Sequence, residues 1–285
     1  MYIGIAGMFP KDITQIDKSV VDRVREAGFT GVSCRFSDPE NISVSQLEYI
    51  KNTLIEGGVR PVQSITHYES IVSSNDKQRS EGIRVMQFMC ALTRRLGADN
   101  LYIRPGSMSP TGDWYAHPLN RHPSTYERLV DSLKQISAAA ETEGILLAIE
   151  GHVLSPLYNG EVIKTAIQDV GSNTLRFNMD PVNFIGDIPE SFDTTSVINK
   201  LFDLLGEYTI CGHAKDFFIQ DKLVVHLEET IIGEGILDQH TFVKRFEEFC
   251  PDGHILIEHL PDEDIPKAKS AIDSVAKDLG ITWLQ

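Results

Sequence analysis

Cysteine, basic residues and long apolar runs are scarce in this sequence, and each scarcity argues against a class of protein. The 4 cysteines lie far apart without a CxxC pair, so we expect neither a disulfide framework nor a thiolate zinc site. Lys and Arg number 26 against 41 Asp and Glu, and the net charge of −15 disfavours nucleic acid and anionic membranes as partners. No run is long enough to span a membrane, and the N-terminus does not read as a secretory signal. We therefore expect a cytoplasmic protein with neither nucleic acid nor membrane as partner.

The sequence does contain a repeated unit, in which a short apolar run is followed by a loop, an amphipathic helical segment and often a glycine. Strands that alternate with helices predict parallel strands, and eight such units in 285 residues predict a closed (β/α)8 TIM barrel, an α/β fold. No linker or change in composition divides the chain, so we predict a single domain over residues 1–285. An open, doubly wound sheet is the alternative. The predicted strands are Tyr2–Ala6, Gly31–Arg35, Pro61–Ile65, Leu101–Arg104, Ile145–Glu150, Leu175–Asp180, Tyr208–His213 and His254–Glu258.

Predicted helices fill the segments between these strands. In the first half they cover about residues 18–27, 44–56, 76–96 and 124–143. In the second half they lie near residues 161–170 and 188–205, after an N-cap at Asp238, and over about 265–279. A long loop separates the seventh strand from the helix that begins after Asp238.

Glu150, Asp180, His213 and Glu258 stand at the ends of four successive predicted strands. A carboxylate in such a position must be solvated, paired or bound to a cation, because burying it alone is costly. In a barrel the carboxyl ends of the strands meet at one face, where three carboxylates repel one another unless a cation lies between them. These residues therefore predict one divalent metal site. Its oxygen-rich ligands favour Mn²⁺, Mg²⁺ or Co²⁺, and Zn²⁺ is an acceptable fourth ion.

Five stretches of the second half resemble the xylose isomerase-like TIM barrel superfamily. They are AIEGH, NMDPVNF, GHAKDFF, GEGILD and LIEHL, and they are most similar to its sugar phosphate isomerase/epimerase branch. The resemblance implies a barrel fold and matches Glu150, Asp180, His213 and Glu258 to the four metal ligands of that branch. It is specific for the superfamily and weak for any one substrate. The first half resembles the superfamily only in its repeated architecture.

Departures from two groups within the superfamily limit what the resemblance implies. His67 stands where the zinc AP endonucleases have a ligand, but Arg104 and Asn183 replace two of their other histidines. Ketose 3-epimerases carry substrate-binding Glu, His and Arg residues where this chain has Pro156, Asn183 and Ile219. The resemblance therefore implies one metal ion rather than three, and it does not identify a hexose substrate.

Further polar residues near the predicted strand ends are candidates for binding the substrate. Lys215 lies two residues after His213, so on an extended strand both side chains point to the same side. The loop 105–123 is long enough to act as a lid, and Trp114 or Tyr115 would then cover the ligand. For Lys215 and Arg104, an ion pair with an acidic neighbour is the alternative role. The candidate substrate-binding residues are His67, Arg104, His152, Asn183 and Lys215.

Together these features predict a metal-dependent isomerase or epimerase of a small polyhydroxylated carbonyl compound. Glu150 and Glu258 would act as an acid–base pair around an enediolate. A dehydratase of an inosose-like polyol would use the same intermediate and is one alternative. A metal-dependent phosphodiesterase of the AP endonuclease type is a weaker alternative, and a sugar-binding barrel without activity is another. A homo-oligomer is compatible with the sequence.

Overall fold

Eight short parallel strands close into one barrel in the computed structural model, which describes residues 1–8 and 12–285. The first strand pairs with both the second and the last, so the sheet has no open edge and the doubly wound alternative is wrong. The barrel strands are β1 (Tyr2–Ile5), β2 (Gly31–Phe36), β3 (Arg60–Thr66), β4 (Asn100–Ile103), β5 (Leu146–Ile149), β6 (Leu175–Met179), β7 (Thr209–Ala214) and β10 (His254–Ile257).

Helices pack around the outside of the barrel, as the repeated unit predicts. The one over Asp76–Leu96 begins and ends where the sequence indicates, and others differ by one or two residues, as is usual at helix ends. The helices are α1 (Lys18–Glu26), α2 (Val44–Glu56), α3 (Asp76–Leu96), α4 (Pro123–Glu143), α5 (Gly160–Val170), α6 (Ile188–Phe192), α7 (Thr194–Leu205), α8 (Gln239–Phe249) and α9 (Ile265–Asp278). None of the helices in the described part of the chain is both long and apolar enough to cross a membrane.

Two elements differ from the prediction. The single helix expected over 188–205 is interrupted at Asp193, whose side chain accepts a hydrogen bond from the backbone N–H of Ser196 and so caps α7. The long loop after β7 contains an antiparallel hairpin formed by β8 (Asp216–Ile219) and β9 (Leu227–Thr230). This hairpin rises from the same end of the barrel as the predicted metal ligands, so it contributes to their surroundings.

Two glycines make room for the side chains that fill the barrel. A Cβ on Gly4 would lie 2.6 Å from Leu256 Cδ2, and one on Gly31 would lie 2.5 Å from the ring of His254. Both distances are too short for real carbon contacts, so these two positions accept only glycine while the filling residues stay in place. The barrel interior around these glycines is therefore a packed core, and the predicted ligands lie beyond it at the carboxyl end.

Asp216 explains why the HAKD and GEGILD stretches occur together. Its buried carboxylate accepts backbone N–H bonds from Gly233 (2.9 Å), Gly235 (3.2 Å) and Leu237 (3.0 Å). Charged acceptors of this kind are stronger than neutral ones, so the carboxylate fixes the loop that precedes α8. Asp238 then caps α8 by accepting from the N–H of Thr241 at 3.0 Å, which confirms the predicted N-cap.

Candidate metal centre

The four predicted ligands meet at the carboxyl ends of β5, β6, β7 and β10, which are neighbours in the barrel. One ligand atom from each of Glu150, Asp180, His213 and Glu258 can be chosen so that all lie within 4.8 Å of one another. Two donors that are each up to about 2.6 Å from a shared cation lie no more than about 5.2 Å apart. The spacing therefore fits one ion.

Two of the four candidate ligands, Asp180 and His213, have buried atoms without a hydrogen-bond partner in the described part of the chain. Asp180 is fully buried, and Glu150 and His213 are each 2% exposed. Neither oxygen of Asp180 nor Nδ1 of His213 has a hydrogen-bond partner of acceptable geometry within the described residues. Buried polar atoms are nearly always satisfied, so three atoms of these two residues without such a partner at one point support a metal site.

The orientation of His213 is set from below by an amide network. Gln63 donates through Nε2 to Asn100 Oδ1 at 3.1 Å and to Asn178 Oδ1 at 3.2 Å, so its Oε1 is left to accept from His213 Nε2–H, also at 3.1 Å. This assigns one proton to Nε2 and points Nδ1 at Glu150 and Glu258. Burial disfavours a charged ring, but these two carboxylates raise the pKa of His213 to about 10, so Nδ1 also carries a proton until a cation displaces it. A histidine held by its outer nitrogen in this way has the tautomer and the orientation of a metal ligand.

Glu150 is held in place by two further donors. The hydroxyl of Tyr102 donates to Oε2 at 2.5 Å, and Asn178 Nδ2 donates to Oε1 at 3.0 Å. Tyr102 and Asn178 are both buried, so these bonds are protected from water. Glu150 is therefore more rigidly oriented than an ordinary strand-end carboxylate.

Lys215 supplies one positive charge to the three carboxylates. Its Nζ lies 2.8 Å from Asp180 Oδ2 and 2.9 Å from Glu258 Oε1, and the whole residue is only 5% exposed. With His213 neutral, as metal coordination requires, three carboxylates and one ammonium leave a net charge of −2. That is the charge a divalent cation neutralises.

The electrostatic environment shifts each ionisable group as such a cluster should. Burial raises the pKa of Asp180 to about 7. The Lys215 charge lowers this pKa, but the negative charges of Glu150 and Glu258 oppose that effect. Burial also acts on Glu258, but His213 and Lys215 outweigh it and hold its pKa well below the usual range. Burial disfavours the charged form of Lys215, yet the carboxylates, Asp180 first, raise its pKa well above the ordinary value. The lysine therefore stays charged beside the carboxylates.

A cavity of about 680 Å³ opens beside this cluster at the mouth of the barrel. Glu258 and His213 line it, and the Glu258 side chain is 12% exposed. Glu150 does not line it, and its side chain is 3% exposed. Of the two glutamates, Glu258 thus faces the space that a substrate would occupy. Trp114 also lines this cavity, whereas Tyr115, the other predicted lid residue, does not.

The other candidate substrate-binding residues are not all at the cavity. Asn183 Oδ1 lies 3.4 Å from Lys215 Nζ, and the ring of His152 lies 5.9 Å from that of Trp114, so both adjoin the centre. Arg104 lines the cavity, but its Nε is 3.0 Å from Asp113 Oδ2. His67 is exposed and is not among the cavity-lining residues. Its role in substrate binding stays a prediction without a contact in its favour.

Several site residues were missed by the sequence analysis, although the two-residue period of strands could have indicated two of them. Asn178 lies two residues before Asp180 and Tyr102 two before Arg104, so each shares a side of its strand with a residue that was identified. Gln63 had no such signal. Glu229, on the hairpin, receives a hydrogen bond from the His259 ring at 3.0–3.1 Å, and His259 lines the cavity.

Comparisons with known proteins agree with this architecture. A model of the family described as the xylose isomerase-like TIM barrel matches residues 21–278, so the chain belongs to that family. No curated protein matches the chain at a significant level.

Solved structures of the same fold share little sequence with it. A xylose isomerase-like TIM barrel protein from Mycobacterium smegmatis, in complex with magnesium, is 15% identical, with a TM-score of 0.73 over 98% of this chain and 96% of that one. D-psicose 3-epimerase from Clostridium cellulolyticum H10, solved with D-tagatose, is 13% identical, with a TM-score of 0.74 over 97% and 99%. A D-tagatose 3-epimerase-like protein is 18% identical, with a TM-score of 0.74 over 98% of both chains. At these identities the likeness shows the fold alone.

Proposed function

We propose that this member of the xylose isomerase-like TIM barrel family is a divalent-metal-dependent isomerase or epimerase of a small polyhydroxylated carbonyl compound. The observation that carries the proposal is the group of Glu150, Asp180, His213 and Glu258, which together with Lys215 has a net charge of −2 when His213 is neutral and which lies beside an open cavity. Sugar epimerases among the structures of the same fold support the reaction class. The donor set favours Mn²⁺, Mg²⁺ or Co²⁺, with Zn²⁺ also accommodated.

Glu150, Asp180, His213 and Glu258 would hold the ion. When bound, it would supply Lewis-acid polarisation of the substrate carbonyl and stabilise the charge of an enediolate. Asp180 has no other task in this scheme, because it is fully buried and does not line the cavity.

Glu258 is the residue best placed to remove the proton on the carbon next to the carbonyl. It faces the cavity, and the positive charge of the neighbouring Lys215 favours its ionised form before the reaction. Lys215 lies 2.9 Å from Glu258 Oε1 and would keep the carboxylate oriented while a proton is transferred. Glu150 is the second member of the proposed acid–base pair. It does not line the cavity, so it would reach the substrate only as a ligand of the same ion, and it would have to take up a proton from solvent before it could deliver one to the opposite face of the carbon.

The dehydratase alternative shares the first of these steps. It needs in addition an acid that protonates the departing hydroxyl group. His259 lines the cavity, and its Nε2 lies 3.6 Å from Glu258 Oε1, so a candidate acid is present next to the base. The product, rather than the proton exchange, separates the two reactions.

The test is solvent-deuterium incorporation. The Mn²⁺-loaded protein would be incubated in D2O with a set of ketoses, inososes and their phosphates, and NMR would follow the signal of the carbon-bound proton next to the carbonyl. We expect exchange with at least one compound, and we expect EDTA to abolish it. Product analysis of that compound then separates epimer, isomer and dehydrated product.

Two variants make the result specific. Glu258→Gln should lose exchange while retaining bound metal, because the amide keeps one oxygen donor but not the base. Glu228→Gln, on the exposed face of β9, removes the same charge outside the cluster and should exchange at the wild-type rate. Exchange that persists in EDTA, or that is equal in Glu258→Gln and the wild type, would refute the proposal.

A further inference from the structure

Arg35 is a cation at the cavity for which the structure shows no counter-charge. Alternate residues of β2, namely Gly31, Ser33 and Arg35, face the inside of the barrel, and Arg35 is the last of them. Both Ser33 and Arg35 line the cavity. It is exposed, and within residues 1–8 and 12–285 it forms no ion pair and no hydrogen bond. Because it is exposed at the cavity and unpaired within the described residues, its guanidinium is open to a ligand.

Arg104, which lines the same cavity, differs from Arg35 because protein groups compensate its charge. Its Nε lies 3.0 Å from Asp113 Oδ2, and its guanidinium stacks at 4.4 Å over the ring of Tyr68. Its charge is compensated and its position fixed by protein groups. Arg35 has neither kind of partner in the described chain, so of the two arginines that line the cavity only Arg35 is available to a ligand.

The position of Arg35 is opposite the candidate metal centre. Around the closed barrel β2 is four strands from β6 in either direction, and β6 ends at Asp180. The metal ligands come from β5, β6, β7 and β10, so they occupy one half of the mouth and Arg35 the other. A substrate whose carbonyl lies at the metal ligands would extend across the cavity of about 680 Å³ towards Arg35.

We propose that Arg35 binds an anionic group of the substrate, a phosphate or a carboxylate, so that the substrate is an acidic sugar derivative and not a neutral sugar. This inference rests on the proposed function, because that function places the reacting end of the substrate at the metal ligands. The planar fork of arginine matches both anions with two parallel hydrogen bonds. The carboxylate of Glu258 would repel an anion on the other side of the cavity, which sets the direction in which the substrate binds.

The test compares three ligands that differ only at carbon 6. D-Fructose carries a hydroxyl there, D-fructose 6-phosphate a phosphate and D-fructuronate a carboxylate. Calorimetric titration of the full-length, Mn²⁺-loaded protein would give the three affinities, and the same titrations in EDTA would detect phosphate that binds the metal instead. We expect at least one anionic ligand to bind about ten- to a hundredfold tighter than D-fructose, the usual worth of a charged hydrogen-bonded contact. Which of the two anions binds tighter identifies the acidic group.

Variants assign that preference to Arg35. Arg35→Gln should bring the ratio of anion affinity to D-fructose affinity down to about one, and Arg35→Lys, which keeps the charge but not the fork, should retain part of the preference. Arg95→Gln is the control, since it removes an exposed charge near the end of α3, outside the cavity, and should bind all three ligands as the wild type does.

The outcomes separate this inference from the proposed function. Equal affinity for all three ligands, or a preference that Arg35→Gln leaves unchanged, would overturn the inference even if deuterium exchange occurs with a neutral sugar. An anion preference that depends on Arg35 would support it even if no ligand exchanged its proton, in which case the proposed reaction alone would fail.

Discussion

Replacing Lys215 by Met should destabilise the metal-free protein strongly. Its ammonium is 2.8 Å from Asp180 and 2.9 Å from Glu258, and both Lys215 and Asp180 are buried. Removal of one partner from a buried ion pair leaves an uncompensated charge and costs about 3–5 kcal/mol. At about 2.1 cal/mol/K per residue, unfolding of 285 residues has an entropy of about 0.6 kcal/mol/K. The melting temperature should therefore fall by about 5–8 °C.

A metal ion should reverse much of this loss. An ion that binds only the folded state adds RT ln(1 + [L]/Kd) to its stability. In Lys215→Met the ion no longer meets the repulsion of a neighbouring ammonium, so the increase in melting temperature on adding Mn²⁺ should be larger than in the wild type. Differential scanning calorimetry with EDTA and with excess Mn²⁺ measures both quantities for each protein.

The control is an exposed ion pair of similar length. Lys200 Nζ lies 2.8 Å from Glu161 Oε1, but these side chains are 66% and 50% exposed. Such pairs contribute about 0–1 kcal/mol, so Lys200→Met should shift the melting temperature by less than about 2 °C in either condition. If Lys215→Met melted within about 2 °C of the wild type in EDTA, or gained no more from Mn²⁺ than the wild type, Lys215 would not be the counter-charge of this cluster.

Three further predictions test other parts of the molecule. With metal content verified, Glu258→Gln and Glu150→Gln should each slow proton exchange by roughly 10²–10⁴, and a wild-type exchange rate in Glu258→Gln would refute the two-carboxylate mechanism. Burial and the Arg60 charge lower the pKa of His254 from 6.5 to about 3. Between these values only the unfolded chain binds the proton, so stability should fall as the pH drops below 6.5, by about 2 kcal/mol at pH 5. Urea denaturation should show a smaller loss between pH 7 and pH 5 in His254→Gln, and an equal loss would contradict the assignment. Asp216→Asn replaces one of the two oxygens that accept backbone N–H groups by an NH2 donor, and it should lower the free energy of unfolding by about 3 kcal/mol. Thermal unfolding measures this loss, and a loss below about 1 kcal/mol would show that other contacts hold the loop before α8.

The barrel and the clustering of the four candidate ligands were predictable because both depend on strong local patterns. Parallel strands buried on both sides give continuous apolar runs, and the strand ends are marked where such a run stops at a charged residue. Glu150, Asp180, His213 and Glu258 each stop a run in this way, and a closed barrel brings strand ends together whatever the details of packing.

The rest depends on distant parts of the chain. The network of Gln63, Asn100 and Asn178 consists of amides on three different strands. Asn178 shares a strand face with Asp180, but no local pattern shows that Gln63 and Asn100 meet it inside the barrel. The hairpin after β7 has no short turn signal, since seven residues separate its two strands. The break between α6 and α7 could have been predicted, because an Asp three residues before the N–H that it accepts from, as Asp193 is before Ser196, is a usual N-cap. The helical spacing of apolar residues on both sides of Asp193 favoured one continuous helix instead.

The two halves of the barrel have different tasks if the proposals hold. All four metal ligands and Lys215 come from the second half, where the resemblance to the superfamily is found. The positions at which ketose 3-epimerases would contact their substrate in that half are different here: Pro156 lines a separate surface groove, Ile219 ends β8, and Asn183 contacts Lys215. Substrate selection must then come from elsewhere, and the cavity walls supplied by the first half, with Arg35 and Trp114, provide a cation and an aromatic surface. We therefore expect the β1–β4 half to govern the choice of substrate, because its side chains line the cavity and supply none of the four candidate ligands.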